Sequence, residues 1–320
     1  MIEVNHLRKQ FGSYTAVEDI SFTVKRGEVL GFLGPNGAGK STTMKMITGF
    51  LTPTSGNAKV CGYDVSKHPI QVKSNIGYLP EGAPTYGEMN ALSFLHFIAE
   101  IRGYGKSERS QRVNQAIEKA NLESVLLKPV ETLSKGFKRR VGLAQAIIHD
   151  PPVLIMDEPT DGLDPNQKHE VRLLIEEMAK DKAIVVSTHI LEEVHAVCSR
   201  AIIIAQGKTL FDGTPMALAA QSKYHNAVSL SLTTEQPDAV EVQLSKVEGV
   251  ASIERNKLAN GDTQFFVFPK KDAMLIRSIS HIARTNNWEL DQLSVESGHL
   301  DDVFRQITTQ TNNIAKDALS

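Results

Sequence analysis

The sequence predicts an α/β fold: a parallel sheet interrupted by a block of helices and followed by a smaller α+β unit. Three observations carry this prediction. The glycine-rich run Gly34-Pro35-Asn36-Gly37-Ala38-Gly39-Lys40-Ser41-Thr42 sits between an apolar stretch of strand length, Val29-Leu30-Gly31-Phe32-Leu33, and residues 43–47, which begin a helix. A second apolar run, Val153-Leu154-Ile155-Met156, delivers Asp157 and Glu158 at its carboxyl end, where open α/β sheets bind ligands. After about residue 221 the pattern changes to the order β-α-β-β-α-β.

Taken in order, residues 2–7, 21–24 and 29–33 are short β-rich runs, with Arg26-Gly27-Glu28 as the tight connection between the last two. Phe11 and Tyr14 fall in the loop after the first run, where an aromatic ring either fills core or stacks on a purine. Thr52-Pro53-Thr54-Ser55-Gly56 breaks the chain after the loop helix. Residues 57–60 and 75–79 are further strands, and Leu79-Pro80-Glu81-Gly82-Ala83-Pro84 is a rigid, turn-rich connector. From about 85 to 148 the period is helical: Ala91, Leu92, Leu95, Phe97 and Ile98 recur at helix spacing, as do Val113, Ile117 and Ala120. Asp150-Pro151-Pro152 stops this block. Residues 166–180 form an amphipathic helix on Val171, Leu174, Ile175 and Met178. Residues 183–189 are a buried strand ending in His189, and a helix covers 191–198. Strands at 201–205 and 209–211 close the first domain, residues 1–218. In the second, 222–310, strands at 228–232, 251–254, 264–268 and 290–295 alternate with helices at 238–247 and 272–284, and Asn260-Gly261-Asp262 is a strong hairpin signal. A last short helix at 300–307 precedes a flexible polar tail, 311–320. This second order is the split βαβ, ferredoxin-like signature.

A length of 320 residues fits two domains, at ~150 residues each. Lys+Arg 35 against Asp+Glu 37 gives a formal charge of -2, so no global bias toward nucleic acid exists. Cys61 and Cys198 are too few and too far apart for a disulfide framework or a zinc site. The first residues lack the basic start and apolar core of a signal peptide, and no apolar run approaches the ~20 residues that span a bilayer. The expectation is a chain soluble on its own that meets a membrane only through a partner.

Strand, glycine loop and helix is the context a phosphate-binding loop requires. The backbone N–H groups of the glycine loop curl inward at a phosphate, and the N-terminus of the helix that follows adds partial positive charge there. Lys40 reaches the β- and γ-phosphates, and Ser41 holds Mg²⁺. Such a site still needs a metal carboxylate, a base and a γ-phosphate sensor.

Five ordered motifs now combine: the phosphate loop, Leu133-Ser134-Lys135-Gly136-Phe137, Asp157-Glu158-Pro159-Thr160, Gly162-Leu163-Asp164, and His189. With them residues 1–218 resemble the ATP-binding subunit of an ABC transporter. The likeness is strongest to single-domain subunits that pair with separate ABC-2-type membrane permeases, including the gliding-motility type. Val303-Phe304-Arg305 also resembles a recurring C-terminal feature of that subgroup. The resemblance implies a P-loop NTPase fold of ABC type with an inserted helical subdomain, ATP and Mg²⁺ as cofactors, and ATP hydrolysis that powers transport, with export as the direction. Asp157 matches the Walker B aspartate, which holds Mg²⁺ opposite Ser41. Glu158 matches the catalytic glutamate that orients the attacking water, and His189 the switch histidine at the γ-phosphate. Asp164 matches the aspartate of the D-loop, which crosses to the opposite subunit. Phe11 matches the aromatic that stacks on adenine, with Tyr14 as its rival. Ser134 and Gly136 match the signature, which covers the ATP of another copy in a head-to-tail homodimer. A separate integral-membrane permease is the other implied partner, no nucleic acid is expected, and the implied place is cytoplasmic, attached peripherally to the inner face of the cell membrane.

The sequence departs from the family at Glu81, where a glutamine usually contacts Mg²⁺ and water, and at Lys135 and Phe137, where glycine and glutamine are usual. Lys135 either adds charge near phosphate or is solvated. Two other readings stay open: a non-transport ABC ATPase acting on nucleic acid or ribosomes, and an ATP-switched regulatory module built around residues 222–310.

Overall fold

The structure, a computed structural model, describes residues 1–82, 86–271 and 273–317, with side chains up to residue 308. It forms two compact units, Met1–Pro215 and Met216–Gln310. The end of the connector at Ala83-Pro84, the first residue of the helical block, residue 272 and residues 318–320 lie outside the described residues.

The first unit opens with a hairpin of β1 (Ile2–Phe11) and β2 (Tyr14–Val24), then β3 (Val29–Leu33) and α1 (Lys40–Ile47). It continues through β4 (Ser55–Val60), β5 (Tyr63–Asp64), α2 (Pro69–Ser74) and β6 (Ile76–Leu79). The helical block holds α3 (Ala91–Ile101), α4 (Lys106–Lys119) and α5 (Lys135–Ile147). The chain returns to the sheet with β7 (Val153–Asp157), α6 (Pro165–Ala179), β8 (Ala183–Thr188), α7 (Leu191–Val197), β9 (Arg200–Ala205) and β10 (Lys208–Gly213).

One 10-stranded sheet results, in the order β5-β4-β1-β2-β10-β9-β3-β8-β7-β6. Strands β9, β3, β8, β7 and β6 run parallel. Strands β3, β7 and β8 are buried at every residue, which is why their sequences are continuous apolar runs rather than alternations. Their register brings the strand ends level. Leu33 pairs with Thr188, Ser187 with Asp157, and Met156 with Leu79. The residues just after these strands, Gly34, His189, Glu158 and Pro80, therefore emerge along one edge.

The second unit begins with α8 (Pro215–Ala219) and carries β11 (Val228–Leu232), α9 (Pro237–Ser245), β12 (Val250–Lys257), β13 (Thr263–Pro269), α10 (Ile276–Thr285) and β14 (Leu290–Val295). The element order is β-α-β-β-α-β, and the sheet order is β12-β13-β11-β14 with every pair antiparallel. Val228, Leu230, Leu232, Phe265 and Val267 pack with Val240, Leu244 and Ile279 from its helices into a separate core.

Some expectations need correction. Phe11 ends β1 rather than lying in a loop, and β2 starts at Tyr14 rather than 21. Shifts of register between Val4 and Gln10 interrupt the alternation along this hairpin. The last helix, α11 (Leu300–Asp317), does not stop near 307 but runs on through residues 311–317.

His149, just beyond α5, donates Nε2–H to the Ile76 carbonyl at 3.0 Å, while its buried Nδ1 has no partner among the described residues. Burial pushes its pKa down to about 3. The folded protein thus binds no proton there until far below the unfolded value of 6.5. Unfolded chains bind more protons between those limits, so stability is intact above pH 6.5 and falls as pH drops toward 3. By pH 4.5 this loss is expected to reach about 2–3 kcal/mol. His149→Gln keeps a donor for Ile76 and should flatten the fall in urea melts taken across that range.

Candidate active site

The phosphate loop leaves β3 and re-enters the fold as α1. Gly39 precedes α1 at φ 103, and a Cβ there would sit 2.6 Å from the Ala16 carbonyl oxygen. Only glycine fits both the left-handed backbone and that close approach. Gly37 also has positive φ. Lys40 folds back over its own loop, donating to the carbonyls of Gly34 at 2.6 Å and Pro35 at 3.2 Å. Burial pushes its pKa down, opposed by the carboxylates of Glu158, Asp157 and Glu81.

A single cleft is lined by Pro35, Asn36, Gly37, Gly39, Lys40, Ser41 and Thr42 together with Phe11, Tyr14, Glu81, Asp157 and Glu158. The structure thus brings most of the sequence-derived candidates together. Phe11 and Tyr14 are 47% and 58% exposed at its mouth, with the Lys9 ammonium 5.0 Å from the Phe11 ring centre. Both rings remain available to a base. Gly34 and Ala38 are in the loop but do not line the cleft. The Gly34 carbonyl holds Lys40, and Ala38 is buried in the core.

Asp157 is buried at the end of β7, and Glu158 follows it at φ 54. That left-handed conformation is uncommon for glutamate, costs about 1–3 kcal/mol, and is the more unusual because a proline follows. Glu158 N–H donates to the Ser187 carbonyl at 2.8 Å. Its carboxylate lies 2.9 Å from His189 Nδ1. When Nδ1–H donates to Glu158, Nε2 of a neutral ring can only accept, and the imidazolium is the form that also donates from Nε2.

Ser41, Asp157 and Glu81 offer oxygen donors alone, the set suited to a hard cation. Among the described residues no group of three or more His, Cys, Asp or Glu forms a metal cage. An incomplete oxygen set is what Mg²⁺ needs when substrate phosphates and water complete its shell, so these residues fit it.

Ser134 and Gly136 are not among the residues lining this cleft. Ser134 caps α5, its hydroxyl accepting from Phe137 N–H at 3.3 Å. The Lys135 side chain is largely exposed and pairs with Asp161 at 2.6 Å, which holds the Asp161 carboxyl below its usual pKa. The Phe137 ring lies 5.9 Å from the Arg140 guanidinium. Asp164 caps α6, accepting from Gln167 N–H at 2.9 Å.

Two side chains that contact the site residues, Glu193 and Arg139, were not found from the sequence. Glu193 on α7 is 4% exposed and accepts from Thr160 Oγ1, from Thr188 Oγ1 at 3.1 Å and from Lys168 Nζ at 3.4 Å. It therefore ties the chain after Glu158 to the residue before His189. Glu192-Glu193 reads as ordinary acidic residues at a helix start, and nothing shows which of the two is buried. Arg139, and Arg140 beside it on α5, each have 6% exposure.

Parallel strands, phosphate loop and edge carboxylates define a P-loop NTPase. Residues 17–161 match the family model described as ABC transporter. The linearmycin resistance ATP-binding protein LnrL of Bacillus subtilis (strain 168) is 30% identical over 312 residues, covering 97% of this chain and 99% of that protein. The probable multidrug ABC transporter ATP-binding protein YbhF of Escherichia coli (strain K12) is 37% identical over 239 residues, or 74% of this chain. The match spans 40% of the length of YbhF. A solved structure titled as the ATP binding subunit of an ABC transporter superposes with a TM-score of 0.64 at 32% identity, covering 69% of this chain and 92% of that one. The chain belongs to the ABC transporter ATP-binding family. Among the described residues no helix is long and apolar enough to cross a membrane.

Proposed function

We propose that this chain binds and hydrolyses ATP as the energy-supplying subunit of a membrane transporter, and that it works as a head-to-tail homodimer. The observation carrying the proposal is one of placement. The phosphate loop, Asp157 and Glu158 line one cleft at the sheet edge, His189 reaches it through its contact with Glu158 at 2.9 Å, and among the described residues Ser134 and Gly136 neither line it nor bond to a residue that does. A second copy supplies the missing face.

In this reading the loop amides, Lys40 and the α1 N-terminus hold the β- and γ-phosphates. Ser41 and Asp157, with Glu81, hold Mg²⁺, which when bound neutralises charge on the phosphate oxygens. Glu158 accepts a hydrogen bond from the attacking water and polarises it, and His189 holds that carboxylate in place. Phe11 or Tyr14 stacks on adenine. The names of the relatives, multidrug and linearmycin resistance, support export. An integral-membrane permease is the proposed partner, with the chain at the inner face of the membrane.

Sizing of Glu158→Gln tests the dimer. With ATP it is expected to shift from the mass of one chain to that of two. Adding Ser134→Arg should abolish the shift while leaving binding of a fluorescent ATP analogue unchanged. A chain that stays single in ATP, or a dimer indifferent to Ser134→Arg, would overturn the proposal.

A further inference from the structure

Arg139 lies on α5, one turn beyond the helix start, and is 6% exposed. Among the described residues its guanidinium makes no hydrogen bond to a carboxylate. Nη1 donates to the carbonyls of Pro80 at 2.5 Å and Glu81 at 2.8 Å, and Nη2 donates to the carbonyl of Asp157. A buried cation is costly, and here its compensation is entirely backbone dipoles plus the field of nearby carboxylates.

The third bond is the informative one. The Asp157 carbonyl and the Glu158 N–H belong to a single peptide group. Arg139 holds that group from one side, and the Ser187 carbonyl receives the Glu158 N–H from the other at 2.8 Å. Rotating this plane changes ψ of Asp157 and φ of Glu158 together. Glu158 sits at φ 54, a conformation that persists only where its surroundings over-determine it. We propose that Arg139 is a positioning residue for hydrolysis: it clamps the Asp157–Glu158 peptide plane and so keeps the Glu158 carboxylate directed into the phosphate cleft. The proposal rests on the reading of Glu158 as the group that polarises water. The planar fork explains why arginine stands there, since an ammonium cannot span carbonyls from two chain segments with fixed geometry.

Arg140 supplies an internal control. It has the same 6% exposure, but its Nη2 pairs with Glu170 Oε2 at 2.5 Å on α6. It makes no bond to the Asp157–Glu158 peptide.

A double-mutant cycle on the full chain tests the clamp, read as single-turnover hydrolysis with enzyme in excess. Arg139→Ala is expected to lower the hydrolysis rate about 10- to 100-fold, the scale of an ångström-sized misplacement, with binding of a fluorescent ATP analogue within about twofold of wild type. In the Glu158→Gln background the same change should cost less than about threefold, because the group it positions is already disabled. Arg140→Ala should have the same effect in both backgrounds. Arg139→Lys keeps the cation and protects against loss of folding; its smaller defect should vanish in Glu158→Gln as well. Equal losses from Arg139 variants in both backgrounds would overturn the clamp. Undiminished hydrolysis by Glu158→Gln alone would instead overturn the role of Glu158.

Discussion

Glu158→Gln is expected to cut steady-state ATP hydrolysis by about 10²–10⁴-fold, the usual loss on removing a general base, while ATP binding stays intact. The substitution is nearly isosteric, and its effect is chemical. Glu158 is the one carboxylate of the cleft whose oxygen also contacts His189, at 2.9 Å. Glutamine can still accept one hydrogen bond from water, but it carries no charge to polarise the O–H. It also presents an amide where Thr188 Oγ1 stands 3.4 Å away. Release of inorganic phosphate from purified protein, normalised to nucleotide bound, measures the loss. A defect under about threefold would remove Glu158 from the chemistry.

Lys40→Met is expected to weaken nucleotide binding by about 10- to 100-fold, the equivalent of a charge-assisted hydrogen bond at about 1.5–3 kcal/mol. Lys40 is 7% exposed, and the acceptors of its ammonium are two neutral carbonyls, Gly34 and Pro35. An ammonium has three donors, so this buried cation is under-partnered until an anion arrives. Its lowered pKa, caused first by burial, is the same statement in proton terms. A phosphate beside the loop supplies the missing acceptor and charge. Methionine matches the stem in length, so the loop should keep its shape. The nucleotide-free protein should still melt cooperatively, since the substitution removes a desolvated charge together with the donor to the Gly34 and Pro35 carbonyls. Titration with a fluorescent ATP analogue, with and without Mg²⁺, checks the affinity, and a melt without nucleotide checks the fold.

The parallel half of the sheet was legible because strands buried on both faces write themselves as unbroken apolar runs. The residues at their carboxyl ends then fell into place, and with them Lys40, Ser41, Asp157, Glu158 and His189. The antiparallel half was less legible. In β1 and β2 register shifts break the alternation, and only fragments stood out. Helix α2 and strand β5, six and two residues long, are too short to show a period. Inside the site, what the sequence could not express was burial of charge. Arg139, Arg140 and Glu193 look like solvent residues, and it is their neighbours in space that draw them inward. The Lys135–Asp161 pair was hidden for the same reason: its partners are 26 positions apart and meet only because α5 begins beside the loop after β7.

The alignment of strand ends along the sheet edge has a consequence for how this chain can change. Leu33 lies beside Thr188, Ser187 beside Asp157, and Met156 beside Leu79. Chemistry here is addressed by counting residues from the sheet, not by the identity of the strand side chains. Exchanges among valine, isoleucine and leucine within β3, β7 or β8 alter packing and leave the address intact. One residue inserted into any of them sends every later side chain to the opposite face. The protein should therefore drift freely in spelling across its central strands while remaining intolerant of any change in their length.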